Sequence, residues 1–93
     1  MNSEEMLALA ESVASGKSLD NALDVLIEVA LFEPSKGWAG VRANDAGTKV
    51  IYSDMNGAQR TYWAEEWTAD RAGAAELLRA RAQPPEQLKG EGR

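Results

Sequence analysis

The stretch WAGVRANDAGTKVIYSDMNGAQRTYW, residues 38–63, decides the fold class, because its apolar and polar residues alternate with a period of two. Such alternation is typical of strands that bury one face. Asn56-Gly57 indicates a hairpin with a two-residue type I′ turn, which needs positive φ at both central positions. Residues 44–47, NDAG, fit a longer hairpin turn that ends in glycine. We therefore predict a three-stranded antiparallel meander.

The predicted turns determine which side chains share a face of this sheet. A two-residue turn at 56–57 pairs residue 50 with 63, and a four-residue turn at 44–47 pairs residue 41 with 50. A slip of one residue in either hairpin, or a bulge at Gly47, would reverse the faces of a strand. The face assigned to the core carries Ala39, Val41, Val50, Tyr52, Thr61 and Trp63. The face assigned to solvent carries Trp38, Arg42, Lys49, Ile51, Ser53, Arg60 and Tyr62.

Two predicted helices precede the sheet. Asn2 and Glu5 have capping-box spacing at the start of the first, and Gly16 is placed to close it in a left-handed conformation. The second covers residues 19–32 and has Ser18 as its predicted N-cap. It is apolar around most of its girth, which is typical of a core helix or of a helix at an interface, such as a homodimer. The short link between the helices predicts an αα-hairpin.

A third helix is predicted after the sheet, with Thr68 or Asp70 as its cap and Pro84-Pro85 as its end. The resulting order, α-α-β-β-β-α, predicts an α+β fold with helices on one face of an antiparallel sheet. We expect a single domain over residues 1–85 and a flexible C-terminal tail over residues 86–93.

The composition limits the chemistry that this chain can perform. It has 93 residues, no cysteine and no histidine, which excludes disulfides, most structural zinc sites and the usual general base near neutral pH. No glycine lies in a phosphate-binding motif. We therefore expect no catalytic residue, no metal and no cofactor. A start without basic residues and the lack of a long apolar run favour a cytoplasmic protein with no membrane span.

Carboxylates are the most abundant reactive groups, and the net charge is −5. Glu65 and Glu66 are adjacent in RTYWAEEW, residues 60–67, but neighbouring residues of a strand point to opposite faces and cannot address one substrate. The negative charge argues against duplex binding and would suit a partner protein with a basic surface, although acidic charge also serves simply to keep a small protein in solution. The predicted acidic partner-binding residues are Asp20, Asp24, Glu28, Glu65 and Glu66.

The solvent-assigned face of the sheet is a second candidate site. Aromatic rings that stack on bases, beside cations that track phosphates, are typical of proteins that bind single-stranded nucleic acid. The same face could contact a protein partner instead. The acidic net charge and the lack of a glycine-aromatic ribonucleoprotein motif argue against the nucleic-acid hypothesis. The residues concerned are Trp38, Arg42, Lys49, Arg60 and Tyr62.

In size, acidity, lack of cysteine and α+β build, the whole chain resembles the small proteins that phages and prophages encode, including anti-CRISPR proteins and other host-takeover inhibitors. The resemblance depends on no diagnostic motif and transfers no site residue. It implies stoichiometric binding in the host cytoplasm that blocks a nucleic-acid-handling complex, in some cases through carboxylates placed where phosphates would lie. The sequence thus predicts a non-catalytic protein-binding inhibitor, with a single-stranded nucleic-acid binder as the alternative.

Overall fold

The computed structural model describes residues 2–34 and 37–82. The order α-α-β-β-β-α confirms the predicted α+β fold. The predicted helix end at Pro84-Pro85 and the predicted tail over residues 86–93 lie outside the described residues. In chain order the elements are α1 Ser3–Ser15, α2 Asn21–Leu31, β1 Gly40–Ala43, β2 Val50–Ser53, β3 Gln59–Tyr62, the 3-10 turn Trp67–Asp70 and α3 Arg71–Ala82.

The main hydrophobic core lies among the helices. α1 packs chiefly along α3, and it contacts its neighbour in the chain, α2, far less. α1 and α3 are antiparallel, since the Ser3 hydroxyl donates a hydrogen bond of 2.7 Å to the carbonyl of Ala82. Burial of a large side chain such as Leu78 contributes about 2 kcal/mol. The buried cluster comprises Met6, Leu9, Ala10, Val13, Ile27, Ala30, Ala74, Ala75, Leu78 and Ala82.

Helix α1 begins at the predicted capping box, formed between Asn2 and Glu5. Its end differs from the prediction, because Gly16 has a φ of −91° and is extended rather than left-handed. The guanidinium of Arg71 satisfies this helix end by donating to the carbonyl of Val13 at 2.9 Å. A Cβ at Gly16 would overlap that guanidinium, so the glycine leaves the space in which Arg71 makes this contact, and its backbone conformation is ordinary.

The caps of α2 and α3 are aspartates. Asp20 accepts a hydrogen bond of 3.1 Å from the amide of Leu23, so Ser18 is not the N-cap of α2 as predicted. Asp70 accepts a hydrogen bond of 3.2 Å from the amide of Gly73 in the first turn of α3. Of the two predicted caps of α3, it is therefore the aspartate that caps the helix.

The loop between β2 and β3 has three residues, 55–57, rather than two. The amide of Asp54 donates to the carbonyl of Ala58, and Gly57 donates back to the carbonyl of Asp54. Gly57 has a φ of +89°, whereas Asn56 does not have the positive φ that a type I′ turn requires. The predicted two-residue turn is therefore wrong, and the extra loop residue shifts the register of β3 by one position.

This shift places the side chains of β3 on the opposite face from the prediction. Val50 pairs with Tyr62 and Tyr52 pairs with Arg60, so all four side chains share a face. Thr61 pairs with Ile51 on the other face, although it was predicted to lie in the core. In the first hairpin the register differs by two, with Val41 opposite Tyr52, and a shift of two leaves the predicted faces unchanged.

Trp38 and Trp63, at the two ends of the meander, also depart from their predicted faces. The amide of Ala39 donates to the carbonyl of Ser53, which already pairs with Gly40, and this doubled pairing is the pattern of a β-bulge. The Trp38 ring consequently lies against Tyr52 on the α2 side, while Ala39 is exposed instead of buried. Trp63 is 66% exposed and does not enter the core.

Helix α2 lies between the sheet and the other helices, and this position explains its apolar girth. Val25, Ile27 and Ala30 are buried, and Leu26 is the large apolar residue of this helix that stays exposed, at 43%. Contacts within one chain therefore cover most of the surface that led to the hypothesis of a homodimer. Within residues 2–34 and 37–82, no helix combines the length and the apolar character needed to cross a bilayer.

Candidate functional site

The polar side of α2 faces the interior of the molecule. Asp24 is 4% exposed and Glu28 is 9% exposed, so the prediction that both lie on an exposed acidic surface is wrong. Asp20 is half-buried at the helix cap. Glu65 and Glu66 are exposed, as their predicted role requires. The structure therefore does not bring the five predicted acidic residues together on one surface.

Asp24 attaches the 3-10 turn to α2. One of its carboxylate oxygens accepts hydrogen bonds from the amide and the hydroxyl of Thr68, at 2.7 and 2.8 Å. The same hydroxyl accepts a hydrogen bond of 2.9 Å from the amide of Asp20. All of these groups are used within the fold, so the contribution of Asp24 is structural.

Glu28 joins three parts of the chain through both of its carboxylate oxygens. Oε1 accepts from the amide of Glu65 at 2.8 Å and from the indole N–H of Trp67 at 3.2 Å. Oε2 accepts from the hydroxyl of Tyr52 at 2.6 Å. Burial of a carboxylate costs less when hydrogen-bond donors surround it in this way. Glu28 therefore holds two aromatic side chains in place at the junction of α2, β2 and the segment after β3.

Four aromatic rings pack against one another beside Glu28. The Tyr52 ring lies at the centre, with centroid distances of 5.2 Å to Trp38, 5.8 Å to Tyr62 and 5.9 Å to Phe32. The interplanar angles, from 52° for Trp38 to 71° for Tyr62, are steep. The edge-to-face contacts of Tyr52 with Tyr62 and Phe32 contribute about 1 kcal/mol per pair beyond their buried area. The rings consequently form one preassembled wall.

This wall borders an open cleft of about 550 Å³ between the end of α2 and the sheet. All six aromatic residues of the chain line it: Phe32, Trp38, Tyr52, Tyr62, Trp63 and Trp67. Three glutamates, Glu28, Glu33 and Glu65, line it as well. Among the described residues that line this aromatic cleft, none is a lysine or an arginine. The cleft thus combines ring surfaces with negative charge.

The hydroxyl of Tyr52 has a fixed hydrogen-bonding role in the aromatic cleft. Burial raises the pKa of Tyr52 well above its ordinary value, and the hydrogen bond to Glu28 and the charges of Glu28 and Glu65 raise it further. Tyr52 consequently keeps its proton, which it donates to Glu28. Its oxygen can still accept a hydrogen bond from a ligand.

An arginine of α3 already occupies one carboxylate at the rim of the aromatic cleft. Arg81 donates through Nη1 to the carboxylate of Glu33 and through Nη2 to the carbonyl of Phe32, the latter at 2.8 Å. Glu33 is exposed, so this ion pair is accessible to solvent and weak. Glu65 is therefore the exposed carboxylate of the cleft that no arginine or lysine of the described chain pairs with.

The five residues of the predicted sheet-face site are separated in the structure. Trp38 and Tyr62 line the aromatic cleft, and Arg60 is exposed farther along the same face. Arg42 points to the other face, and Lys49 lies with its Nζ 4.5 Å from the ring centroid of Trp63. A platform of the predicted kind needs the aromatic rings and all three cations on one surface. Because Arg42 lies on the other face, the structure does not assemble that platform.

Sequence reasoning missed five residues of the aromatic cleft that are now prominent: Phe32, Glu33, Tyr52, Trp63 and Trp67. The available signal was the clustering of the aromatic residues into the short segments 32–38, 52 and 62–67. Those segments are far apart in the chain, and only the packing of the sheet on α2 brings them together.

A smaller hollow of about 430 Å³ also borders Trp67. It is lined by acidic residues of the 3-10 turn region and α3, namely Glu66, Asp70 and Glu76, and by the exposed Leu77. Within residues 2–34 and 37–82, no cluster of three or more acidic side chains has an arrangement that could hold a metal ion. The hollow therefore extends the negative surface beside the cleft.

Comparison of the chain with protein-family models, curated protein sequences and solved structures finds no match. The chemistry of the aromatic cleft itself must therefore indicate what it binds.

Proposed function

We propose that this chain is a non-catalytic protein-binding module and that its aromatic cleft receives a basic segment of a partner protein. The observation that carries the proposal is the convergence of all six aromatic side chains and three glutamates on one open cleft. Tyrosine and tryptophan supply most of the binding energy at many protein interfaces. A cation is attracted by aromatic ring faces and by carboxylates alike, so a basic side chain fits both kinds of wall.

The charge of the surrounding surface supports the same kind of partner. Glu66, Asp70 and Glu76 border the neighbouring hollow, and the chain as a whole carries a net charge of −5. Complementary charge of this kind steers a basic partner toward the cleft and raises its association rate.

The carboxylates of the cleft support binding over catalysis. Glu28 is occupied by three donors, and Glu33 is paired with Arg81. Glu65 then lacks a second free carboxylate with which to act as an acid–base pair. Tyr52 cannot serve as a general base near neutral pH either, because its raised pKa keeps the hydroxyl protonated.

Within this class, we favour a phage-type inhibitor that acts in the host cytoplasm and blocks a nucleic-acid-handling complex. Such complexes expose basic surfaces that bind phosphates, and an acidic protein with an aromatic cleft can occupy such a surface. A homodimer through α2 has less support, because Leu26 is the large apolar side chain of that helix left exposed. Light scattering would measure the oligomeric state directly.

The proposed function is tested by a photocrosslinking amino acid placed at position 62, followed by affinity measurements with the captured partner. We expect Tyr62→Ala to weaken binding by about tenfold or more, because truncation of a central aromatic residue usually costs over 1 kcal/mol. Thr61→Ala is the matched control, since Thr61 lies on the same strand but on the opposite face. The photocrosslinking amino acid is also placed at position 61 for comparison. Equal affinities of Tyr62→Ala and Thr61→Ala, together with crosslinks that form from position 61 and not from position 62, would reject the cleft as the contact surface.

The nucleic-acid alternative is tested by titration with single-stranded oligonucleotides at low and physiological salt. We expect no saturable change in tryptophan fluorescence, because Arg42 lies on the opposite face of the sheet from Tyr62 and the three cations do not flank one set of rings. Saturable binding that weakens with salt and with Lys49→Ala would favour a nucleic-acid binder instead.

A further inference from the structure

We infer that the group seated in the aromatic cleft is the guanidinium of an arginine in the partner protein, a specificity that rests on the proposed function. An arginine, a lysine and a methylated lysine all carry one positive charge. They differ in shape and in the number of N–H donors, and on both counts the described residues of the cleft favour arginine.

The first reason is the hydrogen-bonding character of the polar groups in the cleft. The hydroxyl of Tyr52 and the indole N–H of Trp67 are both directed at Glu28, so neither donor is left for a ligand. The Tyr52 oxygen and the Glu65 carboxylate remain as acceptors. A guanidinium supplies five N–H donors to such acceptors, where a trimethylated lysine supplies none.

The second reason is the shape of the wall. The Trp38, Tyr52 and Tyr62 centroids are 5.2 to 6.2 Å apart, distances at which neighbouring rings touch. No cation fits between rings so close, and a ligand has to lie against their faces. A planar guanidinium stacks on a ring face while its N–H groups reach sideways to a carboxylate, which a compact ammonium cannot do equally well.

The third reason is that an internal arginine already binds at the rim. Arg81 donates hydrogen bonds to both the carboxylate of Glu33 and the carbonyl of Phe32, and both of those residues line the cleft. Glu65, which also lines the cleft, offers a carboxylate whose charge is near enough to Tyr52 to raise the pKa of that tyrosine. The negative charge of Glu65, which disfavours ionisation of Tyr52, also attracts a bound cation. Glu65 is therefore the expected carboxylate partner of the arginine.

The inference is tested with capped pentapeptides that carry one variable residue flanked by serine and glycine. The variable residue is arginine, lysine, trimethyllysine or citrulline, and binding is followed by the NMR signals of the tryptophan indole N–H groups. We expect arginine to bind about fivefold more tightly than lysine or trimethyllysine, and the uncharged citrulline to bind most weakly.

Two matched variants identify the carboxylate involved. Glu65→Gln should weaken arginine binding severalfold, whereas Glu66→Gln, which removes the same charge one residue away and outside the aromatic cleft, should change it much less. Equal affinity for arginine and lysine, tightest binding of trimethyllysine, or equal effects of the two variants would each overturn the arginine inference.

These experiments distinguish a failure of the arginine inference from a failure of the proposed function. If no peptide binds but capture of the partner still depends on Tyr62, the arginine inference fails and the protein-binding role stands. If capture is also unaffected by Tyr62→Ala, both fail together.

Discussion

At the scale of single residues, the Glu28 carboxylate positions much of the aromatic cleft, because it accepts hydrogen bonds from Glu65, Trp67 and Tyr52. Two of those donors are aromatic side chains that line the cleft. The contacts made by this single residue therefore couple the stability of the fold to the geometry of the candidate site.

Glu28→Ala should lower the free energy of unfolding by about 3 kcal/mol, because three donors lose their acceptor at once. Urea denaturation monitored by tryptophan fluorescence measures the change. Glu76→Ala is the control, since Glu76 is exposed on α3, and it should change stability by less than about 0.5 kcal/mol. Similar losses in the two variants would mean that the Glu28 network contributes little.

Tyr52 should make the protein sensitive to alkaline pH. Burial and the Glu28 carboxylate raise the pKa of Tyr52 above the ordinary value of about 10, so the folded state favours the protonated hydroxyl. The contribution of Tyr52 to the free energy of unfolding is complete below about pH 10. It is lost as the pH rises further, because the tyrosine of the unfolded chain ionises first. Tyr52→Phe should therefore be less stable at neutral pH but should lose less stability above pH 10.

The ionisation itself can be observed in the Tyr62→Phe variant, in which Tyr52 is the only tyrosine of the chain. Its ultraviolet absorbance should change at a higher pH than that of a free tyrosine. Ionisation near pH 10 in the folded protein would contradict the hydrogen bond to Glu28.

At the scale of secondary-structure elements, two glycines act for different physical reasons. Gly57 supplies the φ of +89° that the three-residue loop requires. Gly16 has an ordinary extended backbone and instead leaves room for the guanidinium of Arg71 at the end of α1. The second kind of requirement comes from a residue 55 positions away, so local sequence rules cannot reveal it.

Gly16→Ala should destabilise the protein by about 1 to 2 kcal/mol, because Arg71 has to leave the carbonyls of Val13 and Ser18. Gly40→Ala is the control, since a Cβ at that position meets no atom within 4 Å. In an Arg71→Ala background the same Gly16→Ala change should cost little, and denaturation of the four proteins gives the coupling energy. Additive effects would show that the two residues do not interact.

At the scale of the whole molecule, the helical core and the small sheet differ in how deeply they are buried. The main apolar cluster is formed by α1, α2 and α3, whereas every residue of β3 is exposed. The sheet is connected to the rest chiefly through α2, so the wall of the cleft that β3 contributes lies at the less protected end of the structure.

Amide hydrogen exchange should reflect this difference. We expect the amides of α1 and α3 around Val13 and Leu78 to exchange through global unfolding, and those of β3 to exchange faster through local opening. NMR-detected exchange at several denaturant concentrations separates the two routes. Equal protection of β3 and α3 would show that sheet and helices unfold as one unit.

The sequence by itself determined the order of the elements, the α+β class and the capping box at Asn2. Periodicity and helix capping depend on residues within a few positions of one another, so each can be inferred without knowing the rest of the fold. The spacing of Asp20, Asp24 and Glu28 likewise identified one polar side of α2.

Only the tertiary structure decided which way that polar side and the strands face. Asn56-Gly57 is compatible with a two-residue turn and with a three-residue loop, and the choice between them moves every side chain of β3 to the other face. Asp24 and Glu28 became buried because Thr68 and Tyr52 supply donors from distant parts of the chain. The aromatic cleft depends on both outcomes, since faces and long-range partners are set by packing and not by local spacing.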